Sequence, residues 1–467
     1  MQQFRLKTNW RFVARLSIGL SVCGLLTGCG LLRGDGDDDL DTSGRIPVMQ
    51  LEQTLTPDPR FAGVEISLPP PYVNRSWSQP EGEADHTLHH LEASGPLEVV
   101  WRKKVGAGSS RKTRIAAQPI YADNRIFVFD ADARVIAVDA ETGRRIWRRD
   151  LAVAEQLERG WNWRPDRLIS RPDPADLAFG GGIAFDDGRV FAVTGQGIVY
   201  ALDAETGDEI WRFEMGEASR TAPTAYRGSV LVLTNRNRIF ALNAADGAIR
   251  WDFQALEETT RILAPTSPAV ADDVVAAPFS SGEIVALRLQ NGRAVWSESL
   301  SRTSRMTALS DLNDVAGSPV IDRGRVYAIA HSGRMVSIDL RSGQTVWEAS
   351  ISSVQTPWVA GDYIYVVTTG AELVCLSRRD GAIVWVTQLR EFRNQKKRKG
   401  RIVWSRPLLL SDRLVLTSSR GRMLMVSPTT GEILSERKVL DGSFVPPIVA
   451  NETLYILSDE GKLAALR

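Results

Sequence analysis

Ala201-Leu-Asp-Ala-Glu-Thr-Gly-Asp-Glu-Ile-Trp211 decides the fold. It reads as the end of one strand, a tight turn and the start of the next. Asp203 can bond the turn backbone, Gly207 accepts the positive φ that closes a hairpin, and Trp211 takes a fixed place on the following strand. The Gly-to-Trp spacing of four recurs at Gly143/Trp147, Gly207/Trp211, Gly247/Trp251, Gly292/Trp296, Gly343/Trp347 and Gly381/Trp385. A seventh copy, Thr430-Gly431-Glu-Ile-Leu-Ser435, keeps the turn and loses the tryptophan.

Working outward from these turns, prolines mark strand entrances at Pro119, Pro223, Pro268, Pro319, Pro357, Pro407 and Pro446, where a missing N–H costs little. Runs such as Arg189-Val-Phe-Ala-Val193 and Arg325-Val-Tyr-Ala-Ile329 follow. Their continuous apolarity implies burial on both faces, as in a sheet held between two neighbours. Four strands per unit at a period of roughly forty to fifty residues is the signature of a propeller. Seven turns close seven blades. The chain then begins an eighth, Pro446-Pro-Ile-Val449, Thr453-Leu-Tyr-Ile-Leu457 and Lys462-Leu-Ala-Ala-Leu466, and stops one strand short. Leu97-Glu-Val-Val-Trp101 at the other end can supply that strand and remove the free edge. The expectation is an all-β protein, an eight-bladed β-propeller of four-stranded antiparallel blades closed by pairing of N- and C-terminal strands. A large aromatic repeated at one place per blade fills the wedge between sheets, so the six tryptophans are read as structural.

The 467 residues fit one ring rather than two or three domains. A net charge of +1 supplies no field to hold nucleic acid, and no apolar run is long enough to span a bilayer as a helix. Residues 1–28 read as an export signal: Arg5, Lys7, Arg11 and Arg15 precede an apolar stretch, Leu16 to Leu26. Leu26-Thr27-Gly28-Cys29 resembles the bacterial lipobox, which implies lipidation at Cys29 and anchoring by several acyl chains. Gly30 after the cysteine resembles the pattern sorted to the outer membrane. Residues 29–96, with an acidic run from Asp35 to Asp41 and the spacer Leu68-Pro-Pro-Pro-Tyr72, read as a largely disordered tether, although Trp77 to Leu91 has the aromatic content to pack on the ring. Residues 97–467 form the propeller. His86, His89 and His90 have no finger or helical spacing, so no metal is expected, and Cys375 has no disulfide partner in a chain processed at Cys29.

Ala-x-Asp-x-x-Thr-Gly-x-x-x-Trp, as in Ala201 to Trp211, resembles the tryptophan-docking motif of quinoprotein dehydrogenases that carry pyrroloquinoline quinone. Leu309-Ser-Asp-Leu-Asn-Asp-Val-Ala-Gly-Ser-Pro319, Ala330 to Trp347, Asp441-Gly-Ser-Phe-Val-Pro-Pro and Asp459-Glu-Gly-Lys-Leu are closer to a non-enzymatic relative, the BamB family of outer-membrane assembly lipoproteins. The long N-terminal region and Gly106-Ala-Gly-Ser-Ser-Arg111 resemble its alphaproteobacterial version. That resemblance implies a scaffold with no catalytic residues and no cofactor, anchored in the outer membrane with the propeller in the periplasm. It also implies binding to a POTRA domain of a BamA-like barrel protein, with other subunits of that complex and nascent outer-membrane proteins as further partners.

The loops matching the family's partner contacts are Thr260-Arg261-Ile262-Leu263 and Ser310-Asp311-Leu-Asn-Asp314, an apolar pair beside an ionic rim. A quinone-dependent periplasmic dehydrogenase is the alternative. It calls for a catalytic Asp, calcium ligands and, in alcohol-oxidising members, an adjacent cysteine pair, which this chain lacks. A generic binding propeller is the other. Two insertions stand out: Glu155 to Ala178, with Trp161 and Trp163, and the basic run Arg393-Asn-Gln-Lys-Lys-Arg-Lys-Gly-Arg401, read as a solvated hairpin tip.

Overall fold

A computed structural model describes residues 55–111, 113–151, 180–257, 265–301 and 315–467. Eight four-stranded antiparallel sheets form the ring. Blades 1 to 7 are continuous in sequence, spanning 120–150, 181–214, 224–254, 269–299, 320–349, 358–388 and 408–438. Blade 8 takes three strands from 448–466 and its outermost from Val99–Lys104, which pairs antiparallel with Lys462–Leu466. The closure expected from the two chain ends is therefore the one observed. Six of the seven proline marks fall immediately before the three-residue innermost strand of a blade, and Pro446 falls two residues before that of blade 8. Blade 2 lacks one; there Gly182 stands where an added Cβ would come within 2.4 Å of Ala222 Cβ.

Second and third strands are buried along nearly their whole length, while outermost strands alternate or lie exposed. This is the burial that continuous apolar runs predict for sheets stacked face to face.

The tryptophans lock each blade to the next. The Trp211 indole N–H donates to the Ala244 carbonyl at 3.0 Å, and its ring lies on Gly247 of the following turn. Trp147, Trp251, Trp296, Trp347 and Trp385 repeat the contact with Ala204, Leu289, Leu340, Arg378 and Pro428. Gly247 has two reasons to be glycine: φ is +74°, and a Cβ would stand 2.7 Å from Trp211 Cε3. Trp101, on the N-terminal strand, makes the seventh such contact, with Ala140 and Gly143. The eighth junction has Ser435 in place of tryptophan, and the third and fourth strands of blade 8, Lys462–Leu466 and Val99–Lys104, are not joined by a hairpin turn on which an indole could dock. Arg437 serves there instead, donating to the carbonyls of Pro96 and Leu97.

Because the strands are antiparallel, the connections alternate between the two ends of the ring. One end carries the turns between first and second and between third and fourth strands; we call it the hairpin end. The other carries the second-to-third turns and the blade-to-blade connectors.

Candidate functional site

The segment expected to be tether up to residue 96 is, from Ile66 onward, part of the packed ring. Trp77, Leu88, Leu91, Ala93 and Leu97 are buried. The ring boundary drawn at residue 97 is thus too late, and the reason is visible in the bonding. Residues 74–91 run round the axis at the hairpin end and touch the innermost strand, or the turn beside it, of every blade in order.

Asn74 Nδ2 donates to Val449 O of blade 8 at 2.9 Å, and Trp77 exchanges two backbone bonds of 2.8 Å with Tyr121 of blade 1. Phe185 N of blade 2 donates to Ser78 O, and the Gln79 amide bonds both backbone groups of Ala225 in blade 3. Val270 N of blade 4 reaches Ala84 O, and Ile321 N of blade 5 reaches Asp85 O. Trp358 Nε1 of blade 6 donates to His89 O at 2.8 Å, and Leu91 N to Leu409 O of blade 7 at 3.0 Å. An innermost strand has one sheet neighbour and leaves polar groups facing the axis; this strap satisfies some of them. Upstream, Asp58 N bonds Ile383 O on blade 6, Arg60 pairs with Asp380 at 3.2 Å, and Leu55 packs against the blade 5 and 6 cluster.

At the centre of the strap lies a buried charge. The Arg406 guanidinium is 1% exposed, sits between the rings of Trp77 and Trp358 at 5.6 and 5.4 Å from their centroids, and pairs with Glu81. Burial pulls the Arg406 pKa below its ordinary value, with Glu81 opposing. Its Nε and Nη2 have no hydrogen-bond partner among the described residues. Glu81 takes φ +67°, and its N–H donates to Gln118 Oε1.

The three strap histidines serve three different contacts rather than one metal. His86 Nδ1 lies 2.7 Å from Pro319 O. His90 bonds Pro69 O and accepts from Asp412 N at 2.9 Å. His89 faces Asp322, itself paired with Arg378 at 2.6 Å. Among the described residues no three His, Cys, Asp or Glu side chains gather as metal ligands. Cys375 is buried, and its thiol pKa is pushed up by burial. His331 sits in the second-to-third turn of blade 5, part-buried, with its pKa lowered by burial.

Two strap groups titrate in opposite senses. Burial lowers His86 to about 4 and raises Asp85 to about 6. Between pH 6.5 and 4 the unfolded state holds more protons at His86, so that contribution to stability is complete above pH 6.5 and is lost as pH falls. Between pH 6 and 3.8 the folded state holds more protons at Asp85, so acid relieves its burial cost. Asp85→Asn should therefore stabilise the ring by about 1–2 kcal/mol at pH 7, discounted for partial exposure, with the gain vanishing near pH 4. Urea midpoints of the two proteins across pH 4–7 check this; a difference that grows toward acid would contradict it.

The sequence-chosen partner residues Arg261, Ile262, Leu263, Asp311 and Asp314 lie outside the described residues, as do Cys29 and the insertion 155–178. Their described flanks, Leu151 and Gly180, Glu257 and Pro265, Ser301 and Val315, stand at the connector end, opposite the strap. Leu256, at the base of the first partner loop, was not singled out in the sequence. It is 68% exposed, the most exposed large apolar side chain among the described residues, and no periodicity marks it. The basic run forms a hairpin at the same end: Phe392–Asn394 pairs with Lys399–Arg401.

Comparison with known proteins places this architecture. The family model for "Outer membrane protein assembly factor BamB" matches residues 82–165 and 161–387. The chain belongs to the BamB family. A member from Moranella endobia, named as an outer membrane protein assembly factor, is 25% identical over 81% of this chain and 92% of its own length. A member of the same name from Yersinia pestis is 27% identical over 78% of this chain and 88% of its own. The crystal structure of BamB from Moraxella catarrhalis covers 79% of this chain and 99% of its own, with a TM-score of 0.64 at 19% identity, a likeness of fold. The family match begins at Gly82, inside the strap, so part of that segment falls within the family's own span.

Proposed function

We propose that this chain is a lipid-anchored, non-catalytic scaffold of the outer-membrane β-barrel assembly complex, held at the periplasmic face through Cys29. The observation that carries the reading is family membership across most of the ring, together with relatives named as assembly factors. The partner is a POTRA domain of a BamA-like barrel protein, bound at the connector end through Arg261, Ile262 and Leu263 with Asp311 and Asp314 as the ionic rim. Exposed Leu256 beside the first loop, with Glu257 held by Arg236 at 3.5 Å, extends an apolar patch with a charged margin toward it. The strap fits the scaffold reading, since residues 74–91 bind the innermost strand, or the turn beside it, of every blade at the hairpin end.

Recovery of tagged, lipidated protein from solubilised envelopes tests this, with co-purifying proteins identified by mass spectrometry. A POTRA-bearing barrel should be recovered and should fall about tenfold or more with Asp311→Lys/Asp314→Lys, as rim charge reversal costs a few kcal/mol. Cys29→Ser should leave the protein unanchored. An anchored protein that recovers no such barrel would overturn the partner assignment and leave the fold standing.

A further inference from the structure

The basic hairpin stands out from the connector end as a built arm. Its base is clamped: the indole N–H of buried Trp404 donates to Arg390 O at 3.0 Å, and Ile402 N donates to Glu391 O at 2.7 Å. Arg401 donates to Thr369 O in the second-to-third turn of blade 6, and Val403 exchanges two bonds with Ser419 in that of blade 7. At the tip Lys397 N is held by Asn394 Oδ1 at 3.0 Å, and Arg398, at φ +45°, lays its guanidinium over Phe392. Every residue from Arg393 to Arg401 is exposed. The stretch 390–401 holds seven Lys and Arg against one acid, Glu391, in a chain of net charge +1. Arg420 of blade 7 adds an eighth cation beside Gly400, where a Cβ would stand 3.4 Å from its guanidinium and 3.3 Å from Arg393 Cβ. Arg393, Lys396, Lys397, Lys399 and Arg420 have no ion-pair partner among the described residues.

The arrangement of these charges selects among anionic partners. Antiparallel pairing of Asn394 with Lys399 sends successive side chains to opposite faces, so the cations point to both faces and off the end of the arm. A discrete small anion needs donors that converge on one point, and these diverge. A folded acidic protein needs a desolvated apolar anchor as well as charge, and the one aromatic of the arm, Phe392, is covered by Arg398. Three of the four cations from 396 to 399 are lysines, point charges on flexible stems without the rigid fork that fixes a register. A plane of anionic headgroups suits all of this, because it needs no convergence and no fixed register. Each cation brought near such a surface adds about fivefold to binding.

We propose that the arm 390–401, with Arg420, is a docking surface for a bilayer rich in anionic phospholipid, a membrane contact made by the ring itself. The inference rests on the reading that the ring stands beside a membrane. Its consequence is orientation: attachment at a single point leaves the attitude of the ring open, and a second contact turns the connector end of blades 6 and 7 to the bilayer.

The mature chain from residue 29 carrying Cys29→Ser tests this, since binding to vesicles can then come only from protein side chains. Co-sedimentation compares phosphatidylcholine vesicles with vesicles that also hold about 30% phosphatidylglycerol, at about 0.05 M salt. Partition onto the anionic vesicles should be about tenfold higher or more, and should fall to the neutral level at about 1 M salt, where screening shortens to about 3 Å. Lys396→Gln/Lys397→Gln/Lys399→Gln should remove about tenfold or more of it. Lys103→Gln/Lys104→Gln/Lys438→Gln, an equal charge change on exposed lysines of blades 7 and 8, should alter it by less than about twofold. Equal partition onto the two kinds of vesicle overturns the proposal, as do equal losses in the two triple variants. Displacement by soluble glycerophosphoglycerol at the same headgroup concentration also overturns it and assigns the arm to a free phosphate ester. No vesicle preference, with recovery of the barrel protein lowered by the arm variant, overturns it in favour of an acidic protein surface. The vesicle readout needs no barrel protein, so its failure and the failure of the scaffold reading are separate results.

Discussion

Trp77→Ala should lower the stability of the ring by about 3–5 kcal/mol, a loss usual for truncating a fully buried aromatic. The residue is 0% exposed, yet it belongs to no blade. Its side chain packs in the cluster that joins blades 1, 6, 7 and 8, and its backbone completes the innermost strand of blade 1 through Tyr121. It also forms one face of the Arg406 sandwich, so truncation removes packing and half of a cation–π pair together. A ring mutant with a loss of the same kind, Trp211→Ala, should loosen the contact between blades 2 and 3 and leave the strap in place. The two are separated by limited proteolysis at native conditions. Trp77→Ala should open residues 72–93 to cleavage well before the blades, and Trp211→Ala should not. A urea midpoint that moves by less than about 1 kcal/mol in Trp77→Ala would mean that the strap contributes little to holding the ring.

The contrast between blades and strap shows what a sequence displays and what it conceals. The blades were legible because each repeats one physical solution: Gly247 and Trp211 obey the same steric lock as Gly381 and Trp347, and a repeated constraint leaves a repeated pattern. The missing tryptophan at Ser435, from which the sequence alone drew nothing, falls at the junction with blade 8, whose outermost strand is the N-terminal one. The strap repeats too, but one contact per blade at spacings of one to five residues gives no period of 2 or 3.6. Asn74, Ser78, Ala84 and Asp85 bond through backbone or amide groups to which side-chain patterning is blind. Positive φ at Glu81, His86 and His89 turns the strap around the axis at non-glycine residues, and the one glycine that shares this conformation, Gly82 at φ +110°, is too little to mark the segment. His86, His89 and His90 look like a cluster on paper. In space His86 and His89 face Pro319 and Asp322 at the inner strand of blade 5, while His90 turns away to Pro69 and to Asp412 of blade 7, so the three rings do not converge.

The Arg406–Glu81 pair yields a second large effect, and its ordering distinguishes desolvation from attraction. Glu81→Gln keeps the shape and the left-handed backbone but leaves the guanidinium, 1% exposed, without a counter-charge; breaking a buried pair this way costs about 3–5 kcal/mol. Arg406→Met should cost less. The carboxylate left behind is less deeply buried than the guanidinium, 15% against 1% exposed, while a thioether can fill the space between Trp77 and Trp358 and contact both rings. The double variant Glu81→Gln/Arg406→Met should recover most of the loss of Glu81→Gln alone, because no charge is then left in an apolar site. Urea denaturation of the four proteins gives the coupling directly. If the double variant is as unstable as the sum of the singles, the pair is worth little and the strap is held by Trp77 and the backbone bonds. Recovery would mean that the pair supplies register more than stability: Glu81, fixed to Arg406 and to Gln118, sets which strap residue meets which blade, and every contact from Ala84 to Leu91 follows from that one alignment.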